Sequence, residues 1–325
     1  MTLATISRRG ALGAAMLLPL AGARAALPDR PLRILLGFAP GSGPDVLARL
    51  LADGLKEALP AGVVVDNRPG AGGLIAAAEV AKATPADGHT LLLGEVGQLA
   101  MAPSTYARLA YDPAKDFAAV AEVAAVDFCF VVPESVPATD LAGYIVWAKA
   151  RPQVYMGTFG AGTPGHFGAA MLGQAAGLKV EPVHFRATGD AMTAILGGDV
   201  QGMFGSMAVV LPQVRAGKLK ALAVTGPARA PVLPQVPTMA ELGHPGLSIS
   251  AWFGLVAPAA APAPVLAALE AALLRALANP ALAGRLEAAG FRVSPQGATG
   301  FARLMREETV RWAEVVRSTG FRAIE

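Results

Sequence analysis

Phe38-Ala39-Pro40-Gly41-Ser42-Gly43-Pro44-Asp45 follows an apolar run at residues 32–37 and precedes leucines at helical spacing. An apolar run, a glycine-rich turn and an amphipathic helix in that order open a βαβ unit. The helix repeats Val46, Leu47, Leu50, Leu51, Leu55 and Leu59 in steps of three and four, with Arg49, Asp53, Lys56 and Glu57 opposite. Such a turn aims unpaired backbone N–H groups and the positive end of the helix dipole at one point. It makes an anion site that needs no catalytic side chain. Taken alone, Gly41, Gly43 and Asp45 read equally as a structural bend with a helix-capping aspartate.

Outward from this turn the pattern repeats. Val63-Val64-Val65 is the next strand, followed by Asn67-Arg68-Pro69-Gly70-Ala71-Gly72-Gly73 and a helix, and Leu91-Leu92-Leu93 is a third strand. A second series begins after Ala125, with a strand at 128–132, a helix at 139–150 and a strand at 154–159. That last strand enters a second glycine turn, Gly160-Ala161-Gly162-Thr163, with Pro164 at the first turn of the next helix. Val183-His184-Phe185, a helix around 191–196, and strands at 201–204 and 219–224 complete the series. Thr238-Met239-Ala240-Glu241 has the form of a capping box. A strand at 248–256 returns to the first series, Asn279-Pro280 starts a further helix, and Phe301, Leu304, Met305, Trp312, Val315 and Val316 share one face of the last. The alternation predicts an α/β fold of two lobes, each a mainly parallel sheet flanked by helices. Residues 26–125 with 247–325 form lobe 1 and residues 126–246 form lobe 2. The chain crosses near Ala125 and near Leu247, leaving a cleft between the lobes with one anion turn on each side.

The N-terminus reads as an export signal over residues 1–25: Arg8-Arg9, an apolar stretch at 11–21, and Ala23-Arg24-Ala25 as the cleavage site. The paired arginines leave Sec and twin-arginine export both open. The apolar stretch falls short of the roughly 20 residues that a membrane span needs. Cys129 is the only cysteine, which excludes an intrachain disulfide and a metal–thiolate site, and none lies near the cleavage site to carry a lipid. Apolar residues make up 54% of the chain and charged ones 16%; much of the apolar share is alanine and glycine, so tightly packed helices account for it. Net charge is +3, and no basic run points to nucleic acid.

Catalytic constellations are missing from the pattern. No G-x-S-x-G surrounds Ser42, Ser104, Ser206 or Ser250, no H-E-x-x-H occurs, and His89, His166, His184 and His244 lack ligand spacing. No metal and no cofactor is therefore expected. Gly160 to Gly165 formally matches G-x-G-x-x-G with Glu181 near the spacing of a ribose-binding acid. A dinucleotide-dependent enzyme is thus a remote alternative, against which export and Pro164 both argue. His166 is expected to pack or hydrogen-bond within the first turn of its helix, Arg68 to fix a loop, and Met192 and Met203 to sit in the core. Arg186, after a strand at the cleft edge, is an open candidate for ligand contact.

The chain resembles the periplasmic solute receptors of tripartite tricarboxylate transporters, the Bug proteins, from about residue 31 to 312. The resemblance is carried by the first turn, by Asp66-Asn67-Arg68-Pro69-Gly70-Ala71-Gly72-Gly73, by Ala86-Asp87-Gly88-His89-Thr90-Leu91-Leu92-Leu93 and by Tyr111-Asp112-Pro113-Ala114-Lys115-Asp116-Phe117. Gly160-Ala161-Gly162-Thr163-Pro164-Gly165-His166, Leu233-Pro234-Gln235-Val236-Pro237-Thr238 and Trp252-Phe253-Gly254-Leu255-Val256-Ala257-Pro258 follow in the same order. It implies a Venus-flytrap periplasmic-binding-protein fold, no enzymatic activity, and a small carboxylate pinched between the lobes. On one lobe it selects Phe38, Pro40, Gly41, Ser42, Gly43 and Asp45, and on the other Gly160, Ala161, Gly162 and Thr163. Arg186, Thr188 and Ser206 would meet the distal end of the ligand. Delivery to the membrane subunits of a permease by a monomeric receptor in the periplasm is implied, with a sensor that docks a signalling partner as the alternative. Ser42, Pro44, Arg186 and Gly205 depart from the usual residues of the family, and Pro44 removes one backbone donor. Glu95, after the third strand, is expected to add negative charge to the cleft.

Overall fold

A computed structural model describes residues 30–185, 188–322 and 324; the export signal, its cleavage site and Arg186 lie outside the described residues. The elements run β1 (Leu32–Leu36), α1 (Gly43–Gly54), β2 (Val63–Asn67), α2 (Leu74–Ala81), β3 (Thr90–Glu95), α3 (Ala102–Thr105) and β4 (Phe117–Pro133). Next come α4 (Leu141–Lys149), β5 (Val154–Thr158), α5 (Pro164–Ala176), β6 (Val180–His184), α6 (Thr188–Gly197), β7 (Gly202–Ser206), α7 (Met207–Arg215) and β8 (Leu219–Val224). The chain closes with β9 (Ser250–Pro258), α8 (Ala263–Leu277), α9 (Pro280–Ala288), β10 (Arg292–Gly297) and α10 (Ala298–Ser318). The α/β alternation and the two-lobed fold agree with the sequence reading.

Two parallel groups, β2-β1-β3 and β6-β5-β7, are joined through strands that run antiparallel to them, giving the order β2-β1-β3-β9-β4-β7-β5-β6. Both β10 and β8 pair with β4. Each half is thus parallel where βα units build it and antiparallel at the seam. The seam is β4, a 17-residue strand whose first part the sequence pattern hides, because alanine-rich 118–125 carries little strand propensity. Up to Asp127 it pairs with β9; from Phe128 it pairs with β7. β10 was also hidden: Pro295 interrupts its pattern and its register slips between Val293 and Gln296, which marks an irregular strand. The Thr238–Glu241 box forms both of its reciprocal bonds, at 2.7 and 3.1 Å, yet caps only a turn. Gly243 and Pro245 follow too soon for a helix.

The junction where β4 changes partners is stapled. Ser250 Oγ donates to Asp127 Oδ1 at 2.5 Å, and Arg292 donates to both oxygens of Asp127. Thr225, fully buried, accepts the Phe128 N–H at 2.9 Å and contacts the Ile249 carbonyl at 2.5 Å as donor. One apolar cluster fills the β1–β3–β9 half, and two flank the β5–β7 half, one on each face. Phe167 of α5 belongs to the first cluster, with its ring 5.7 Å from that of Trp312 on α10. The two halves therefore share an apolar contact besides β4, the strand that runs through both. Cys129 is buried, and burial pushes its thiol up to about 12, so it is an inert core residue.

Candidate functional site

The first turn leaves β1 at its carboxyl end, where open α/β sheets bind ligands. Asp45 organises it. Its Oδ2 accepts the Gly41 N–H at 2.9 Å and Arg49 Nε at 2.9 Å, and its Oδ1 accepts Asn67 Nδ2 at 2.9 Å. Asn67 also donates to the Phe38 carbonyl at 2.9 Å, so the end of β2 ties down both ends of the turn. Burial alone would raise the Asp45 pKa; the bonds from Arg49, Gly41 and Asn67 outweigh it and hold the carboxyl below its usual value. Both oxygens of Asp45 are thereby committed to the turn. Its side chain fixes the shape of the turn, while its N–H finds no acceptor among the described residues.

The remaining donors can be counted. Gly41 N–H goes to Asp45 and Ser42 N–H to the Ala39 carbonyl at 3.2 Å, while Pro44 has none. Gly43 and Asp45 N–H, in the first turn of α1, find no acceptor among the described residues. Ser42 Oγ is enclosed and equally unpartnered. Gly41 holds a φ of +80°, a left-handed conformation that favours glycine.

The second turn is built differently. Thr163 caps α5 by accepting the His166 N–H at 3.4 Å, while its hydroxyl donates to the Gly160 carbonyl at 2.9 Å. Thr158 Oγ1 donates to the same carbonyl at 3.2 Å and contacts His184 Nδ1 at 2.7 Å, which makes that nitrogen the donor. Gly162 N–H donates to His166 Nδ1 at 3.1 Å. That bond requires a neutral imidazole protonated on Nε2, and burial with the neighbouring His184 lowers the His166 pKa to about 4. The first-turn hydrogen bond expected of His166 is present. Ala161 and Thr163 N–H find no acceptor among the described residues. Gly162 has a φ of +71°, and an added Cβ would lie 3.4 Å from Thr105 Cβ, 3.5 Å from Phe321 Cζ and 3.6 Å from Ile324 Cδ1. This turn of one lobe thus packs directly on α3 and on the C-terminal segment, which itself pairs with Tyr106.

Glu95 ends β3, three residues beyond Leu92, the last residue that pairs with β1. Its Oε1 accepts the Gly97 N–H at 3.1 Å, and Gln98 Oε1 accepts the Glu95 N–H at 3.1 Å. Gln98 is fully buried with its Nε2 unpartnered, and an added Cβ on Gly37 or Gly73 would strike that nitrogen at 2.8 or 1.7 Å. The segment after β3 therefore packs on both glycine turns of its own lobe and, through Thr105, on the turn of the other. Burial raises the Glu95 pKa to about 7 against the pull of the Gly97 N–H.

Phe38, Pro40, Gly43 and Glu95 are thus placed at the carboxyl end of the first sheet, and Gly160, Ala161 and Thr163 at that of the second. Ser206 ends β7 and precedes α7 without capping it; Thr188 opens α6 and is exposed. Asn67 and Gln98 hold the turns in ways the sequence pattern did not assign. Asn67 had one visible signal, its place at the carboxyl end of the strand next to β1. Cavities of about 80 Å³ beside Arg30 and about 260 Å³ between α10 and residues 112–119 share no residue with either turn.

Residues 47–321 match the family described as the tripartite tricarboxylate transporter family receptor. Protein BugT of Bordetella pertussis is 34% identical over 298 residues, covering 90% of each chain. A Rhodopseudomonas palustris protein solved with adipate superposes with a TM-score of 0.84 at 30% identity, covering 91% of this chain and 99% of that one. MatC of Rhodopseudomonas palustris, solved with bound malate, gives a TM-score of 0.78 at 33% identity, covering 89% and 99%.

Proposed function

The chain belongs to the family of tripartite tricarboxylate transporter receptors, and from that premise we propose that it binds a small organic carboxylate between its two turns and delivers it to a membrane permease. The family consists of solute-binding proteins, and the chain is one of them, not an enzyme. The observation that carries the ligand class is the set of unspent donors: Gly43 and Asp45 N–H on one turn, Ala161 and Thr163 N–H on the other. Oriented N–H groups at two helix N-termini suit an anion with more than one oxygen. The adipate and malate held by the two neighbours point the same way. Export to the periplasm, work as a monomer, and contacts from Arg186, Thr188 and Ser206 are part of the same proposal. The lobe boundaries at 125/126 and 246/247 belong to it too.

Thermal-shift measurements against a panel of mono-, di- and tricarboxylates test the reading. A concentration-dependent rise in melting temperature with at least one acid is expected. Silence of the folded protein across the panel would overturn it.

A further inference from the structure

Glu95 places an acceptor in a site otherwise built to hold an anion. Gln98, which accepts the Glu95 N–H, lies against Gly37 where β1 runs into the first turn, so Glu95 stands at the same end of the sheet as that turn. As a residue Glu95 keeps intermediate exposure, and protein surrounds its carboxyl closely enough for burial to dominate its titration. Oε1 takes the Gly97 N–H, while Oε2 takes no hydrogen bond from any described residue, and no described cation pairs with the carboxyl. Tyr106 and Tyr111 are the titratable groups that feel its charge. The Tyr111 hydroxyl is spent on the Gln98 carbonyl at 2.8 Å. Across the strand on its other side stands Phe253 of β9, which offers only an apolar ring.

We propose that the free oxygen of Glu95 accepts a hydrogen bond from an amino group on the ligand, so that this receptor takes a small amino-substituted acid in preference to an unsubstituted di- or tricarboxylate. The inference rests on the two-turn reading and deepens it. A carboxylate gripped by the N–H groups sits near Glu95, and a second ligand carboxylate there would meet like charge in a poorly solvated place. An ammonium at the same position supplies the missing donor and balances the charge.

The probes are 4-aminobutyrate and glutarate, which differ chiefly in carrying an ammonium or a second carboxylate at the far end. Calorimetry at pH 7 in buffers of different ionisation enthalpy reads both affinity and protons exchanged. The unmodified protein should bind 4-aminobutyrate at least tenfold more tightly than glutarate, releasing protons with the first and taking them up with the second. Glu95→Gln keeps an acceptor for the Gly97 N–H. It should lose the preference and exchange far fewer protons with either ligand. A Glu95→Gln change that weakens both ligands alike, or a preference of the unmodified protein for glutarate, would overturn the assignment. So would failure of the amine probe in a protein that binds other carboxylates. Silence toward every carboxylate would instead remove the two-turn reading on which it rests.

Discussion

Replacing Asp45 by alanine removes the acceptor for three donors at once: Gly41 N–H, Asn67 Nδ2 and Arg49 Nε, each at 2.9 Å. The Arg49 guanidinium is exposed, and such a surface pair contributes little. The other two are hydrogen bonds to a charged, buried acceptor, each worth about 1.5–3 kcal/mol. Water reaches the exposed side of Gly41 and recovers part of that sum, leaving an expected loss of about 3 kcal/mol. With an unfolding entropy of roughly 2.1 cal/mol/K per residue, a chain of this size should melt about 5 °C lower. Asn67→Ala removes the partner that joins Asp45 to the Phe38 carbonyl, so the double variant should cost about 1–2 kcal/mol less than the two single changes summed. Denaturant unfolding of the four proteins gives the cycle. Because the folded pKa of Asp45 lies below its unfolded value of 3.8, this stabilisation is fully present above pH 3.8 and is lost as pH falls through the folded pKa. Strict additivity, or a loss below about 0.5 kcal/mol, would refute the claim that this carboxylate holds the first turn in shape.

For Glu95 the sign is opposite: its pKa rises from 4.5 unfolded to about 7 folded, so stability falls as pH climbs between those values. Glu95→Gln should therefore gain up to about 3 kcal/mol over the unmodified protein at pH 8 and almost nothing at pH 4; equal unfolding free energies at pH 8 would contradict the burial. Gly41→Val forces a β-branched residue to a φ of +80° and should weaken ligand binding at least tenfold, about 1.4 kcal/mol, as calorimetry would read. Gly162→Val should do the same and also lower the melting temperature, because its side chain meets Thr105, Phe321 and Ile324; an unchanged melting curve would mean that the turn does not pack there. Thr225→Val leaves the buried Phe128 N–H without its 2.9 Å partner, at a cost of about 2 kcal/mol in denaturant unfolding, and a loss under about 0.5 kcal/mol would dismiss the staple at the crossing.

Local periodicity and turn chemistry are written in consecutive residues, and those parts of the fold were legible. The leucine stripe of α1, Pro164 in the first turn of α5, the Asn279 cap, and the shared face of Phe301, Met305, Trp312 and Val316 all appear where the pattern put them. The seam was not legible. Alanines along β4 carry no strong strand signal, and the partners that make it a strand, β9 and β10, lie more than 120 residues later. The site shows the same division. The glycine turns announce themselves, because only a tight strand-to-helix bend needs such residues together. Which N–H groups remain unspent depends on Asp45, Asn67 and His166 closing back on the turns, two of them from within their own helix and one from a neighbouring strand. Glu95 was visible as a charge after β3; its enclosure by Gly97, Gln98, Tyr106 and Tyr111 is a product of the irregular segment that follows it.

The central claim is that one carboxylate is held from both lobes by backbone N–H groups at the two helix starts. A crystal structure of the protein with the tightest-binding acid of the panel tests it directly. The expected density is a carboxylate with oxygens about 2.9 Å from Gly43 or Asp45 N on one side and from Ala161 or Thr163 N on the other, directly or through one water. A ligand bound elsewhere, or held by one lobe alone in a closed complex, would contradict it.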